Sequence, residues 1–271
     1  MRKPAAHFHL PGLFEFYKFY HAFLPLYRAH RAYFYDWCEI ASIYGAPEGC
    51  IWGGGRVGSG TAGAQEVLAL MQDFGISARL TFSNCLLRPE HLIDHPCNAL
   101  CRAFSDSAGP QNGVIVHSEL LLTYLKKHYP RLYFVSSTTK VLTRFSQLRQ
   151  ELERDDFSYV VPDFRLNRSF AQLQALPQTL KDKTEFLCNE GCWSGCMERR
   201  ACYEAVSRKN LGAPGPEHRC TAQEAANGYR FSRAMEGPGF IGVQDIKTKQ
   251  NPMGESPYKI ERRERANALK L

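Results

Sequence analysis

Apolar residues along this chain fall into two alternating rhythms. Short apolar runs at 50–52, 78–82, 113–116, 131–135, 157–161 and 183–187 have the length and β-branched or aromatic content of buried strands. Between them lie segments at 64–74, about 90–104, 119–129, 144–154 and 170–181, in which apolar positions return every three or four residues, as one face of a helix requires. Gly75 and Pro130 supply stop signals for two of these helices. Strands alternating with helices predict a parallel sheet, because a strand returns parallel to its predecessor only through a covering crossover. The expected class is α/β, either doubly wound or a (βα) barrel.

The strand ends weigh toward the barrel. Thr81-Phe-Ser83-Asn84, Val116-His117-Ser118, Val135-Ser136-Ser-Thr138-Thr139, Val161-Pro-Asp163 and Leu187-Cys188-Asn189-Glu190 all pass from apolar to polar. One such group alone is an ordinary N-cap for the next helix. Several in succession, on strands closed into a ring, converge on one mouth, where (βα) barrels keep their chemistry. Asn84, His117, Asp163 and Glu190 are the candidate substrate-contacting residues.

The first 45 residues read differently. They are crowded with aromatic side chains, and Phe16, Tyr20, Phe23 and Tyr27 recur at helical spacing, which predicts a helix packed on the core. Lys18, Arg28 and Arg31 among the rings also suit a surface on which bases stack. The organisation expected is an aromatic-rich N-terminal helical segment, 1–45, packed on a barrel formed by 46–271.

The densest chemistry is the thiol run Cys188-Asn-Glu-Gly-Cys192-Trp-Ser-Gly-Cys196, with Cys202 and Cys220 after it. It opens where a predicted strand ends, and it extends to residue 220. Structural zinc sites favour cysteine pairs two residues apart, and the wider gaps here suit zinc poorly. Iron–sulfur clusters also take four thiolates and accept scattered spacing. The radical-SAM signature Cys-x3-Cys-x2-Cys is missed by one residue. Without a metal, such cysteines would be small buried apolar residues. Cys97 and Cys101 share one face of a predicted helix and suit two core positions. The glycine-rich stretch 53–60 lacks the Gly-Lys-Ser/Thr ending of a phosphate-binding loop.

Composition adds three constraints. The 271 residues carry a formal net charge of +7, which favours a polyanionic partner such as RNA. No apolar run is long enough to cross a membrane and no secretory leader opens the chain, so a cytoplasmic protein is expected. In that reducing compartment ten cysteines point to metal or redox use rather than to a disulfide scaffold.

Several motifs resemble one known family. Phe240-Ile-Gly-Val-Gln-Asp245-Ile, Met253-Gly254 and Tyr258-Lys259-Ile260-Glu-Arg262 are similar to the ending of the collagenase-like peptidase superfamily, the peptidases of unknown mechanism numbered thirty-two. Thr81-Phe-Ser-Asn84 and Asn189-Glu-Gly-Cys192 also look like it. Val243 stands where that family has proline, and Arg262 or Arg263 falls where it has glycine-arginine, which marks a divergent relative.

The resemblance implies a TIM-barrel-like core. In several relatives it also implies a [4Fe–4S] cluster supporting oxygen-independent hydroxylation of RNA or of a ubiquinone precursor. Carried over, Cys192, Cys196 and Cys220 are the best-matching ligands, with Cys202 chosen as the fourth over Cys188 and Cys85. The function expected is an iron–sulfur enzyme acting on RNA or a small aromatic metabolite, with a protein partner subunit plausible from relatives that work in pairs. A peptidase-like hydrolase is one alternative. A non-catalytic RNA-binding or assembly module with a structural metal, Zn2+ among the choices, is the other.

Overall fold

In the computed structural model the residues described are 6–55, 60, 62–188, 192, 196–216 and 218. Six strands lie in one sheet: β1 (Ala6–Pro11), β2 (Cys38–Gly45), β3 (Ser77–Phe82), β4 (Gly113–Val116), β5 (Tyr133–Ser136) and β6 (Tyr159–Val160). Their spatial order is their chain order, β1-β2-β3-β4-β5-β6. The first four pair in parallel, with Ile43 opposite Ala78 and Leu80 opposite Val114.

Each crossover carries a helix, as parallel pairing demands. These are α1 (Tyr17–Ala29), α2 (Ala64–Phe74), α3 (His95–Asp106), α4 (Glu119–His128) and α5 (Phe145–Leu152). Their ends follow local rules. Gly75 takes the left-handed conformation, with φ 65°, that closes α2, while Asp94 and Ser118 cap α3 and α4 through their side chains.

The described residues form two compact units, one running to Val135 and including Val206–Gly215, the other containing Ser136–Ala205. In the first unit Ile43, Ala78, Leu80, Phe82, Val114 and Val116 of the sheet are buried, as are Val67, Met71, Phe104, Leu121 and Leu125 of the helices. Each large side chain so buried contributes about 1.5–3 kcal/mol. In the second unit Leu148, Leu152, Phe157 and Val160 are buried.

The structure departs from the sequence expectation in four places. The first 45 residues are not simply helical, since β1 and β2 lie there and form one side of the sheet. Ala6-His7-Phe8-His9-Leu10 alternates apolar and polar, a strand signal that the aromatic helix pattern beside it outweighs; His9 Nδ1 and Ser42 Oγ are 2.7 Å apart across the two strands. Of the expected aromatic face of α1, Tyr20 is buried and Phe16, Phe23 and Tyr27 are half-buried.

The run 50–52 is a turn rather than a strand, the strand before it being β2. The long helix expected at 170–181 is two short ones, α6 (Phe170–Gln174) and α7 (Gln178–Asp182), because Pro177 stands between them. The strand expected at 183–187 contributes one parallel bridge, Thr184 to Val160. After the cysteines comes α8 (Arg199–Asn210). Among the described residues no helix is long and apolar enough to cross a membrane.

Candidate functional site

In the second unit the chain leaves β6 through Val161-Pro162-Asp163 and enters a tight 3-10 turn, Phe164–Arg168. Asp163 caps this turn. Its Oδ1 accepts from the Arg165 backbone N–H at 3.1 Å and from Arg165 Nε at 2.6 Å, and its Oδ2 accepts from Arg165 Nη2 at 3.0 Å. Arg199, from the first turn of α8, brings its Nε to 3.6 Å of the same Oδ2. Asp163 is fully buried and Arg199 retains 1% exposure, so two guanidinium groups share one carboxylate in a place water barely reaches.

Arg199 is further held by Thr138 Oγ1 at 3.2 Å and sits over the rings of Phe164 and Tyr203. The hydrogen bonds it donates to Asp163 hold the Arg165 guanidinium above its ordinary range, burial working against it. Both oxygens of Asp163, a candidate substrate-contacting residue, are thus engaged by arginines.

The same 3-10 turn reaches the cysteine segment twice. Asn167 Nδ2 donates to the carbonyl of Leu187, immediately before Cys188, at 2.8 Å. Arg165 Nη1 donates to the carbonyl of Cys196 at 2.9 Å. Cys196 is buried, Cys192 and Cys202 are half-buried and Cys188 is exposed.

Thiols are the right donors for iron or zinc. Among the described residues, however, no three of His, Cys, Asp or Glu converge as a metal centre would require. Cys220 and Glu190, both expected at the site, lie outside the described residues.

In the first unit the carboxyl end of β3 continues into Ser83-Asn84-Cys85. Asn84 is fully buried, and its side chain is engaged on both sides. Nδ2 donates to the carbonyls of Ile51 at 2.8 Å and Ser207 at 3.2 Å, while Oδ1 accepts the Leu86 N–H at 2.9 Å. Asn84 therefore clamps three loops, a structural task that its position at a strand end does not distinguish from substrate contact. Cys85 Sγ is 3.3 Å from Ser207 Oγ, which also accepts the Cys85 N–H.

Asn210 Nδ2 donates to the Gly53 carbonyl at 2.7 Å, so the end of α8 ties down Gly53. His117 is half-buried just past β4, one position beyond Val116, which pairs with Phe82.

Of the predicted residues, Asn84 and His117 thus follow neighbouring strands of one unit, and Asp163 and Cys196 are joined through Arg165 in the other. Sequence reasoning missed Arg165, Arg199 and Ser207, while Thr138 stood among the polar strand ends. An arginine two residues after the strand-end Asp163 was the available signal for Arg165; nothing local marked Arg199 as buried.

No protein-family model and no curated protein matches the sequence. A solved structure described as "The Structure of the U32 Peptidase Mk0906" is similar to this chain with a TM-score of 0.53 and 15% identity, over 81% of this chain and 83% of that one. At that identity the likeness is one of fold.

Proposed function

We propose that this chain is an iron–sulfur protein in which Cys192, Cys196, Cys202 and Cys220 ligate a [4Fe–4S] cluster. The cluster would serve oxygen-independent hydroxylation, or a related redox modification, of RNA or a small aromatic metabolite. The observation that carries this reading is the double grip of the Phe164–Arg168 turn on the thiol-bearing segment, at Leu187 and at Cys196. A thiol-rich segment anchored at both ends is suited to hold a cofactor in a fixed position. Strand order and the fold likeness support a TIM-barrel-like arrangement, and the net positive charge supports a polyanionic substrate.

The arginines have a second role in this reading. Arg165 donates to the Cys196 carbonyl, which fixes the backbone beside a proposed ligand. Bound at this place, the cluster would supply single-electron transfer, tuned by burial and by hydrogen bonds to its sulfurs.

Iron and acid-labile sulfide measured on protein purified without oxygen test the proposal. The expected result is about four of each per chain with brown colour that bleaches in air. Colourless, iron-free protein would overturn it, and peptide cleavage by such protein would favour the hydrolase. Stoichiometric zinc with unfolding of Cys192→Ala and Cys196→Ala variants would instead favour the assembly module.

A further inference from the structure

We propose that Cys50 and Cys97 are a redox-active dithiol that closes to an intramolecular disulfide on reaction with a small-molecule disulfide oxidant. Neither thiol belongs to the ligand set proposed above, so the inference stands apart from it. Their sulfurs are 3.4 Å apart and both residues are buried. A disulfide bond is about 2.05 Å long, so closure asks the sulfurs to approach by about 1.4 Å.

Contacts that do not involve sulfur hold the two segments together. Cys50 sits in the turn after β2, where its carbonyl accepts the Gly53 N–H at 3.0 Å. Two residues on, the fully buried Trp52 donates its indole N–H to the His91 carbonyl at 2.8 Å, in the segment leading into α3. Asn84 holds the Ile51 carbonyl between them. On the other side, Cys97 lies in the first turn of α3, its N–H bound by the capping Asp94 at 2.8 Å. The sulfur contact is thus a consequence of backbone placement, which is the preorganisation a reversible disulfide requires.

The two thiols are unequal in a useful way. The contact with Cys97, with the backbone N–H groups of Trp52 and Gly53 adding to it, favours the Cys50 thiolate against the effect of burial. Cys50 is 8% exposed and Cys97 is wholly buried, so Cys50 is the entry point. The Cys50 contact and burial push the Cys97 thiol up, and burial pushes Cys101, one turn further along α3, up as well; Cys97 is the partner because its sulfur is the one 3.4 Å from that of Cys50.

The chemistry balances as an exchange. The Cys50 thiolate attacks one sulfur of R–S–S–R, forming a mixed disulfide and releasing one thiolate. Cys97 then loses its proton and attacks the Cys50 sulfur, displacing the second thiolate. Two thiols of the chain are oxidised, one external disulfide is reduced, and the two protons leave on the two R–SH products. The closed bond would fasten the 50–54 turn to α3. Gly54 of that turn lies against the Ser83 backbone at the carboxyl end of β3.

The test is peptide mapping of the full chain. Reduced protein is treated with oxidised glutathione, denatured in an alkylating agent and digested without reductant. The expected product is a peptide pair linked through Cys50 and Cys97, lost on adding dithiothreitol and still formed by Cys101→Ser. Cys97→Ser is expected to trap glutathione on Cys50. Recovery of Cys50 and Cys97 as alkylated thiols, or of Cys97 linked to any other cysteine, would overturn the inference. The wild-type measurement needs no variant to fold, and its outcome is read independently of iron content.

Discussion

Replacing Asp163 with asparagine keeps its size and removes the charge that two arginines share. Arg165 is 22% exposed at its side chain and turns toward solvent at modest cost, but Arg199 is 1% exposed and has no such exit. Removing one partner of a buried ion pair costs about 3–5 kcal/mol, because the surviving charge stays desolvated without compensation. At roughly 2–4 °C per kcal/mol for a chain of this size class, the Asp163→Asn variant should melt on the order of 10 °C lower.

The decisive comparison is a double-mutant cycle followed by circular dichroism and by denaturant titration. Arg199→Met alone leaves Asp163 bound by Arg165 through both oxygens, and should cost less than Asp163→Asn. Adding Arg199→Met to Asp163→Asn removes the stranded cation and should recover part of the loss, giving a coupling energy of about 1–3 kcal/mol. If Asp163→Asn melts within 2 °C of the wild type, or if the two changes simply add, the cluster is not the buried charge network described.

Three further outcomes are expected. Asn84→Ala strands the Ile51 and Ser207 carbonyls and the Leu86 N–H, and should lower stability by about 2–4 kcal/mol in urea titrations; a full-stability variant that loses only activity would make Asn84 a substrate contact instead. Gly54→Ala sets a Cβ 2.3 Å from the Ser83 carbonyl carbon and oxygen, backbone atoms that cannot rotate away, and should cost about 1–3 kcal/mol, with no change in melting temperature refuting that close approach. Burial, with Arg79 and His7 adding to it, pushes the His9 imidazole down to about 3.

For His9 the sign follows from proton counts. Between the unfolded value near 6.5 and about 3, the unfolded chain binds a proton at His9 that the folded chain does not. Stability should therefore fall as pH falls through that window, by at most about 1.4 kcal/mol per pH unit from this residue. His9→Gln should flatten the slope in urea titrations across the window, and an unchanged slope would show that His9 does not carry it.

Legibility in the sequence tracked how local each signal was. α2 was bounded correctly because Val67, Leu68, Leu70 and Met71 form one apolar face and Gly75 ends it; β4 was bounded correctly because Gly113–Val116 is apolar on both faces. β1 alternates apolar and polar positions over Ala6-His7-Phe8-His9-Leu10, as a half-buried strand does, but the run is short and lies beside the longer aromatic helix pattern, which dominates a reading of the first 45 residues; Ser42 of β2 pairs its hydroxyl with His9 across the two strands. β6 lies inside the apolar run 157–161, so its place was legible, but only two of those residues form the strand, between the Ser136 carbonyl that accepts the Val161 N–H and the backbone of residues 183–185.

The candidate chemistry divides along the same line. Thiols adjacent in sequence announce themselves through spacing, which drew attention to residues 188–220 and made Cys97 look like part of a helix core. Cys50 and Cys97 are 47 residues apart, and the only thing that makes them a pair is the fold around Trp52 and Asn84. Arg199 is alike: next to Arg200 it reads as a solvated charge, yet Asp163, Thr138 and two aromatic rings enclose it. Residues whose role depends on distant partners carry no spacing signature, so the sites most dependent on the fold are those that sequence patterns understate. A charge or thiol that is buried against long-range partners is accordingly the better place to look for function in this chain than a motif complete within ten residues.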